Sequence, residues 1–460
     1  MKKSRRSFVK TMTGGLLATA APTLLLSQDN YIETLEGLKK HKTANDKIQL
    51  GIIGMGIQGY MNAKAALGAP GAKLVAACDL YDGRLQSVKE TYGNDIYTTR
   101  NHEELLTRKD VDAVIIATSD HWHDVIAIDA MKAGKAVYCE KPMVHKIEQG
   151  KAIVDAEKKY KSVFQVGSQR VSAITTWKAK ELIARGDIGE VIMAEAWFDR
   201  QSAVGAWQYS IPTDASEKTV DWKRFLHTAP KRDFDATRFF RWRNYQDYGT
   251  GVAGDLFVHL FSGLHCILDS YGPNRIYTTG GLRYWKDGRD VPDVMIGVCD
   301  YPATDKHPAF NLQLRVNFVD GKGGGGGTRI IGTEGVLDVG WNDLTVTRSK
   351  MKSTPGYKGY NAYFTFSKAG QAAYEKWYKN HYGTPMPEVI EPKSMVYKSP
   401  EGYSDHVHHY ANFYDSIRNG KKVVEDAAFG LRASAPSLAA NMSYFEKRPI
   451  DWEPIKMELK

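Results

Sequence analysis

The chain has 460 residues, 42% of them hydrophobic and 25% charged, with a formal net charge of +9 at pH 7. That length supports two domains with sizeable cores, and the composition excludes a disordered or low-complexity protein. Five cations (Lys2, Lys3, Arg5, Arg6, Lys10) fall in the first twenty residues, so the remainder is only mildly basic and nucleic acid is excluded as a partner.

Those cations belong to a targeting segment. Ser4-Arg5-Arg6-Ser7-Phe8-Val9-Lys10 reads as a twin-arginine export signal spanning 1–28. The apolar stretch Met12 to Leu26 is broken by Gly14, Gly15 and Pro22 and is too weak for a stable membrane span. Ala18-Thr19-Ala20 offers a cleavage site, so the mature chain is expected to lack an integral span and to be periplasmic or otherwise exported. Residues 29–46 are polar and read as a linker or arm.

Folded sequence begins at residue 47. Ile48 to Ile53 is short, apolar and β-branched, as a buried parallel strand would be. It runs into Gly54-Met55-Gly56-Ile57-Gln58-Gly59, a G-x-G-x-x-G. Gly54 suits a tight turn, Gly56 a close approach of pyrophosphate, and Gly59 close packing of helix on strand. Phosphates would meet the free N–H groups of a helix N-terminus there. A second strand, Leu74 to Cys78, ends in Asp79, about twenty residues beyond the turn, where a carboxylate binds ribose hydroxyls. Leu80 follows, not Arg or Ser, which favours NAD over NADP, although Arg84 lies close by.

Strand–helix units then repeat. Asp112 to Thr118 is a strand, His123 to Ala133 a helix stopped by Gly134, and Ala136 to Glu140 a strand. A helix to about Tyr160 and the strand Val163 to Val166 close the set. Residues 47–167 are therefore expected to form a doubly wound parallel sheet with its site at the strands' C-terminal ends. From 168 to 460 the pattern changes to a mostly antiparallel sheet with helices. Its expected strands include Val191 to Phe198, Arg275 to Gly281, Val294 to Asp300, Phe310 to Phe318, Thr328 to Gly332 and Leu344 to Arg348. A long insertion, Asp199 to Tyr248, is dense in Trp, Phe and Arg. Gly323 to Gly327 read as a flexible loop. Helices from His406 to Asn419 and Ala427 to Met442 precede an extended end. The four cysteines have no CxxC spacing and read as buried free thiols.

Three stretches carry chemistry: Glu140-Lys141-Pro142, Thr118-Ser119-Asp120-His121-Trp122-His123, and Asp255 with His259, which share a face if helical. At these residues the chain resembles the Gfo/Idh/MocA oxidoreductases, and Gly332-Thr333-Glu334-Gly335 looks like that family's strand-linking turn. The resemblance covers nearly everything from Lys47 onward. It implies a Rossmann NAD-binding domain and a C-terminal α/β domain for substrate and oligomerisation. It further implies Lys141 in the active site with Asp255 and His259 as partners. Lys141 would bind a substrate hydroxyl, His259 would deprotonate it, and hydride would move between carbon and nicotinamide. Thr118, Ser119, His121, His123, Glu140 and Lys141 would border the cofactor. One departure stands out: Leu-Phe-Ser-Gly-Leu-His follows His259, without the second aspartate common three residues after that histidine.

The chemistry agrees with those roles. Histidine is a proton acceptor near neutral pH, lysine stabilises an alkoxide, and a carboxylate holds the imidazole or pairs the ammonium. His121-x-His123 and Asp405-His406-Val407-His408-His409 invite a metal reading, but no metal is expected, and the second run reads as a solvated helix start. Trp207, Trp222, Trp242 and Arg243 are candidates for a sugar site, with half or more of such aromatics belonging to core. The expected function is an exported NAD-dependent oxidoreductase of a sugar or polyol with tightly held NAD(H), working as a homo-oligomer (dimer or tetramer). The alternatives are an NAD-dependent glycosidase and a non-catalytic NAD-binding protein.

Overall fold

The computed structural model describes residues 34–39, 46–349, 351, 354–383 and 392–460; the expected export signal lies outside them. Residues 34–39 are helical and bury Leu38. The first sheet contains β1 (Ile48–Ile53), β2 (Ala72–Cys78), β3 (Tyr97–Thr99), β4 (Ala113–Ile116), β5 (Ala136–Cys139) and β6 (Phe164–Val166). Their spatial order is β3-β2-β1-β4-β5-β6, and every pairing is parallel. Helices cover both faces, so the central strands are apolar on both sides and β4 is buried throughout. The order reverses direction beside β1, and the C-terminal ends of β1 and β4 open a crevice there.

The second sheet has ten strands. They are β7 (Val191–Asp199), β8 (Arg275–Gly281), β9 (Val294–Tyr301), β10 (Phe310–Asn317), β11 (Gly325–Gly332), β12 (Gly335–Val339), β13 (Asp343–Arg348), β14 (Lys393–Lys398), β15 (Ile450–Glu453) and β16 (Glu458–Leu459). Only the β7–β10 pair is parallel. Strict alternation in β8 to β10 buries one face under helices and leaves Tyr277, Ile296 and Val298 exposed on the other. The glycine run divides: Gly323 and Gly324 turn with positive φ, but Gly325, Gly326 and Gly327 pair with Asp199, Phe198 and Trp197 in β11. A Cβ on Gly326 would lie 3.1 Å from the Trp341 ring, so the strand is glycine-rich because tryptophans cover it.

Two C-terminal helices tie the sheets together. Asp405–Asn419 lies on the helix after the glycine turn, where Tyr414 Oη donates to the Ala66 carbonyl at 2.9 Å. Ala427–Glu446 packs on β8 and on the helix Ile147–Tyr160, crossing so closely that a Cβ on Gly150 would meet Leu431 at 2.1 Å. Burial of large apolar side chains such as Phe164, Phe257 and Phe261 contributes roughly 1.5–3 kcal/mol each.

The insertion after β7 folds as a small aromatic layer. Trp222, Phe225, Phe239, Phe240, Tyr245 and Tyr248 pack with Tyr81 of the first domain. Tyr81 bridges Val220, and the Asp120 carboxylate accepts from Thr250 N at 3.0 Å and Oγ1 at 2.8 Å. The cap is therefore fastened to both edges of the crevice. All four cysteines are buried and free.

Candidate active site

The glycine turn is shaped as its spacing predicts. Gly54 has φ +94°, and a Cβ there would sit 2.5 Å from the Ala117 carbonyl oxygen. A Cβ on Gly59 would lie 2.0 Å from the Gly54 oxygen, so helix and strand meet without room for a side chain. At Gly56 the nearest atom to a Cβ is on Arg84 at 3.6 Å, leaving its backbone accessible. Asp79 is buried; its carboxylate accepts from Met55 N at 2.7 Å and Tyr81 N at 2.9 Å. Arg84 reaches the same carboxylate at 3.3 Å and rests on the rings of Phe239 and Phe240.

These groups border a groove of about 850 Å³. Its floor is the glycine turn with Asp79, Thr118 and Ser119; its roof is the insertion, through Phe225, Phe239, Phe240, Trp242 and Arg243. A small recess at its inner end, bounded by Gln58, Thr118, His123, Glu140 and Lys141, leads toward a second cavity. Gln58 and Arg243 line all three spaces. The residues fit a dinucleotide: glycines that clear the backbone at a helix N-terminus, a ribose-side carboxylate, and an apolar roof.

The second cavity, a cleft of about 1010 Å³ that opens to solvent, gathers Lys141, Asp255 and His259. Lys141 comes from the loop after β5, through a cis Lys141–Pro142 peptide. Its Nζ donates to the Asp255 carboxylate at 3.0 Å and to the Asp255 carbonyl at 2.9 Å. Asp255 lies in a π-helical turn, Ala253–Phe257, that leads into the α-helix Val258–Leu268 bearing His259. Such turns widen the helix locally and recur at functional sites. Arg243 Nε also reaches the Asp255 carboxylate, at 3.3 Å. Burial works to raise the Asp255 pKa, but Lys141, Arg243 and Arg200 outweigh it and hold the carboxyl well below its usual range. Burial, with Lys141 second, pushes the His259 pKa well down, so the ring is neutral. Its Nδ1 is enclosed with no partner among the described residues, which leaves Nε2 as the nitrogen open to a ligand. Asp255 thus pairs the ammonium and not the imidazole.

Other predicted residues divide. His123 borders the recess, its Nδ1 2.8 Å from the Pro142 carbonyl. Glu140 Oε1 accepts from Gln58, Asn62 and Gln169, locking the inner end of the groove. His121 departs from its expected place: its Nε2 lies 2.8 Å from the Phe225 carbonyl, so the ring anchors the insertion and lines neither cavity. Met55 contributes its backbone to Asp79 while its side chain is core. Trp207 and Arg243 line the second cavity, Trp242 the groove, and Trp222 belongs to the insertion's core.

The run Asp405 to His409 is not a solvated face. Asp405 and His406 line the second cavity, whereas His408 and His409 are buried; Ser404 caps the helix. Asp405 pairs with Arg170 at 3.1 Å and lies 2.9 Å from His406 Nδ1. No group of residues that could hold a metal ion occurs among the described residues. Arg170, Arg200, Tyr209 and Trp341 also line the cavity and were not singled out by local sequence. The only hint was that Arg200 and Tyr209 belong to the insertion dense in Trp, Phe and Arg.

Comparison with known proteins agrees with this geometry. Residues 48–168 match the Gfo/Idh/MocA oxidoreductase family, NAD-binding Rossmann fold. An inositol 2-dehydrogenase from Salmonella typhimurium is 27% identical over 195 residues, 42% of this chain and 57% of the relative. A glycosyl hydrolase family 109 protein from Shewanella sp. MR-4 is 27% identical over 195 residues, 39% of this chain and 40% of the relative. The chain therefore spans about half the length of these curated relatives. A levoglucosan dehydrogenase, solved with NADH and levoglucosan, shares the fold: the TM-score is 0.62 at 17% identity, covering 88% of this chain and 99% of that one.

Proposed function

We propose that this chain, a Gfo/Idh/MocA protein by its NAD-binding domain, is an exported NAD-dependent oxidoreductase that acts on a carbinol carbon of a sugar or polyol and retains its cofactor. The observation that carries this reading is the meeting of Lys141, Asp255 and His259 in a cavity joined by Gln58 and Arg243 to the nucleotide groove. Gly54 to Gly59, Asp79, Thr118, Ser119 and His123 would hold the dinucleotide. When bound, its nicotinamide supplies a hydride acceptor or donor.

The chain's own residues then do the proton chemistry. Two of the three Lys141 Nζ donors are taken by Asp255, and the third is available to a substrate oxygen. Its charge stabilises a developing alkoxide. His259, kept neutral by burial and by Lys141, takes the hydroxyl proton at Nε2. Asp255 keeps the ammonium in place. This complete set is a reason to set aside a non-catalytic NAD-binding role.

Asp79 disfavours a 2′-phosphate, which supports NAD over NADP. Retention is supported by the roof: Phe225, Phe239, Phe240 and Trp242 cover the groove, and nanomolar binding requires about 12 kcal/mol. The Ser4 to Lys10 motif supports export to the periplasm, and a chain exported folded would carry its cofactor with it. The exposed Tyr277, Ile296 and Val298 of β8 and β9 support a homo-oligomer. A covered cofactor also favours a second reading, in which a glycoside is transiently oxidised, cleaved and re-reduced. Screening the purified protein against sugars and aryl glycosides, following nicotinamide absorbance and aglycone release together, tests both. Activity on neither class, with NAD bound, would contradict the proposal.

A further inference from the structure

Resting on the carbohydrate reading of the second cavity, the arrangement of charge there points further. Four cations line it: Lys141, Arg170, Arg200 and Arg243. Three are matched. Lys141 and Arg243 share the Asp255 carboxylate, and Arg170 is held by Asp405 and by the carbonyls of Gly340 and Trp341. Glu140 is the remaining carboxylate in the wall, and its Oε1 is occupied by three side-chain amides.

Arg200 differs. It follows β7, and its guanidinium lies over the rings of Phe198 and Phe318 at 5.3 and 5.5 Å. The guanidinium's one hydrogen bond among the described residues runs from Nη1 to the Gly205 carbonyl at 2.7 Å. No carboxylate of the described residues lies within ion-pair distance of it. Phe198 in turn stands 6.0 Å from the His259 ring, centroid to centroid, so Arg200 sits one aromatic ring away from the proposed base. A guanidinium carries five N–H donors in a planar fork suited to a carboxylate. A part-buried guanidinium with a single carbonyl partner keeps donors free for an anion. His406 adds no compensating negative charge; its bond to Asp405 raises its pKa and favours the cation.

We propose that Arg200 is a specificity residue that receives an anionic substituent, and that the substrate is an acidic sugar whose carboxylate or sulfate ester lies beside the carbon presented to His259. A neutral sugar would leave Arg200 without an anionic partner.

The test uses the purified full-length protein with NAD and matched substrate sets: a neutral sugar or glycoside, its uronate and its sulfate ester. Equilibrium binding is measured by calorimetry alongside kcat/KM. The expected result is at least a tenfold preference for the uronate or the sulfate ester over the neutral member, collapsing toward unity in Arg200→Gln. Arg200→Lys keeps the charge and should retain part of the preference. The uronate and sulfate arms separate the two sources of the anion. An unchanged preference in Arg200→Gln, or equal binding of the neutral member, would overturn the inference while leaving the oxidoreductase reading intact. Arg200-dependent binding of the acidic member without turnover would uphold the anion site and contradict the oxidoreductase reading.

Discussion

Lys141 and Asp255 are 114 residues apart in sequence, yet Lys141 Nζ donates to both the carboxylate and the main-chain carbonyl of Asp255, at 3.0 and 2.9 Å. This double hold joins the parallel sheet to the antiparallel domain at the point where their two cavities meet. It also fixes which residue is free to act. With Asp255 committed to two cations, His259 is left neutral and unpaired.

Lys141→Ala and His259→Ala should each lose at least about a hundredfold in turnover while keeping NAD bound, because neither belongs to the glycine turn. Steady-state kinetics with a cofactor assay on the same preparations checks this. Retention of more than about a tenth of the activity by either variant would remove its assigned role. Asp255→Asn should be nearly as damaging, since it strands two buried cations.

The pH dependence has a definite sign. A neutral imidazole is required for proton removal, and the His259 pKa lies well below 6.5 in the fold. Activity should therefore hold steady as pH falls to 6.5, with its acid limb appearing only below that. An acid limb centred at or above pH 6.5 in kcat/KM would assign the base elsewhere.

Stability should respond to acid for the same reason. Burial lowers the pKa of His121 and His265 to about 3, and of His408 and His409 to about 4. Unfolded histidines titrate near 6.5 and so bind protons first as pH falls. The contribution of neutral burial is complete above pH 6.5 and is lost progressively below it. Thermal unfolding followed between pH 8 and pH 4 should show Tm falling from about pH 6.5 downward; a flat profile would contradict the buried neutral assignment.

Asp79→Ala should relax the preference for NAD over NADP, and the more so because Arg84 would be released from its 3.3 Å contact with that carboxylate. Binding titrations with both cofactors check it. Equal affinity of the unmodified protein for the two would count against the role given to Asp79.

Much of this was legible in the sequence, for identifiable reasons. Gly54 to Gly59 and Asp79 lie within one β-α-β unit, where local spacing dictates geometry, and the parallel and antiparallel sheets followed from the change in strand and helix periodicity. Lys141, Asp255 and His259 came from motifs in combination. The pairing of Asp255 with Lys141 over His259 was not legible, because a π-helical turn replaces regular i, i+4 spacing. His121 was misplaced because the insertion supplies a carbonyl, at Phe225, that no local pattern announces. Arg170, Arg200 and the pair Asp405 and His406 converge from three separate segments, and only the closed fold brings them together. Gly325 to Gly327 looked like a loop because the tryptophans that cover them lie elsewhere in the chain.

The most direct measurement is the fate of the cofactor during catalysis. The protein is purified without added nucleotide, dialysed, and assayed for bound NAD(H), then given an oxidisable sugar or glycoside while free NADH is followed by absorbance. Near-stoichiometric NAD(H) is expected after dialysis; with a carbonyl second substrate present, or with a glycoside whose oxidised form takes the hydride back from bound NADH, conversion should run over many turnovers without matching accumulation of free NADH. A protein isolated empty of nucleotide, releasing one NADH to solution for each substrate oxidised, would contradict this account.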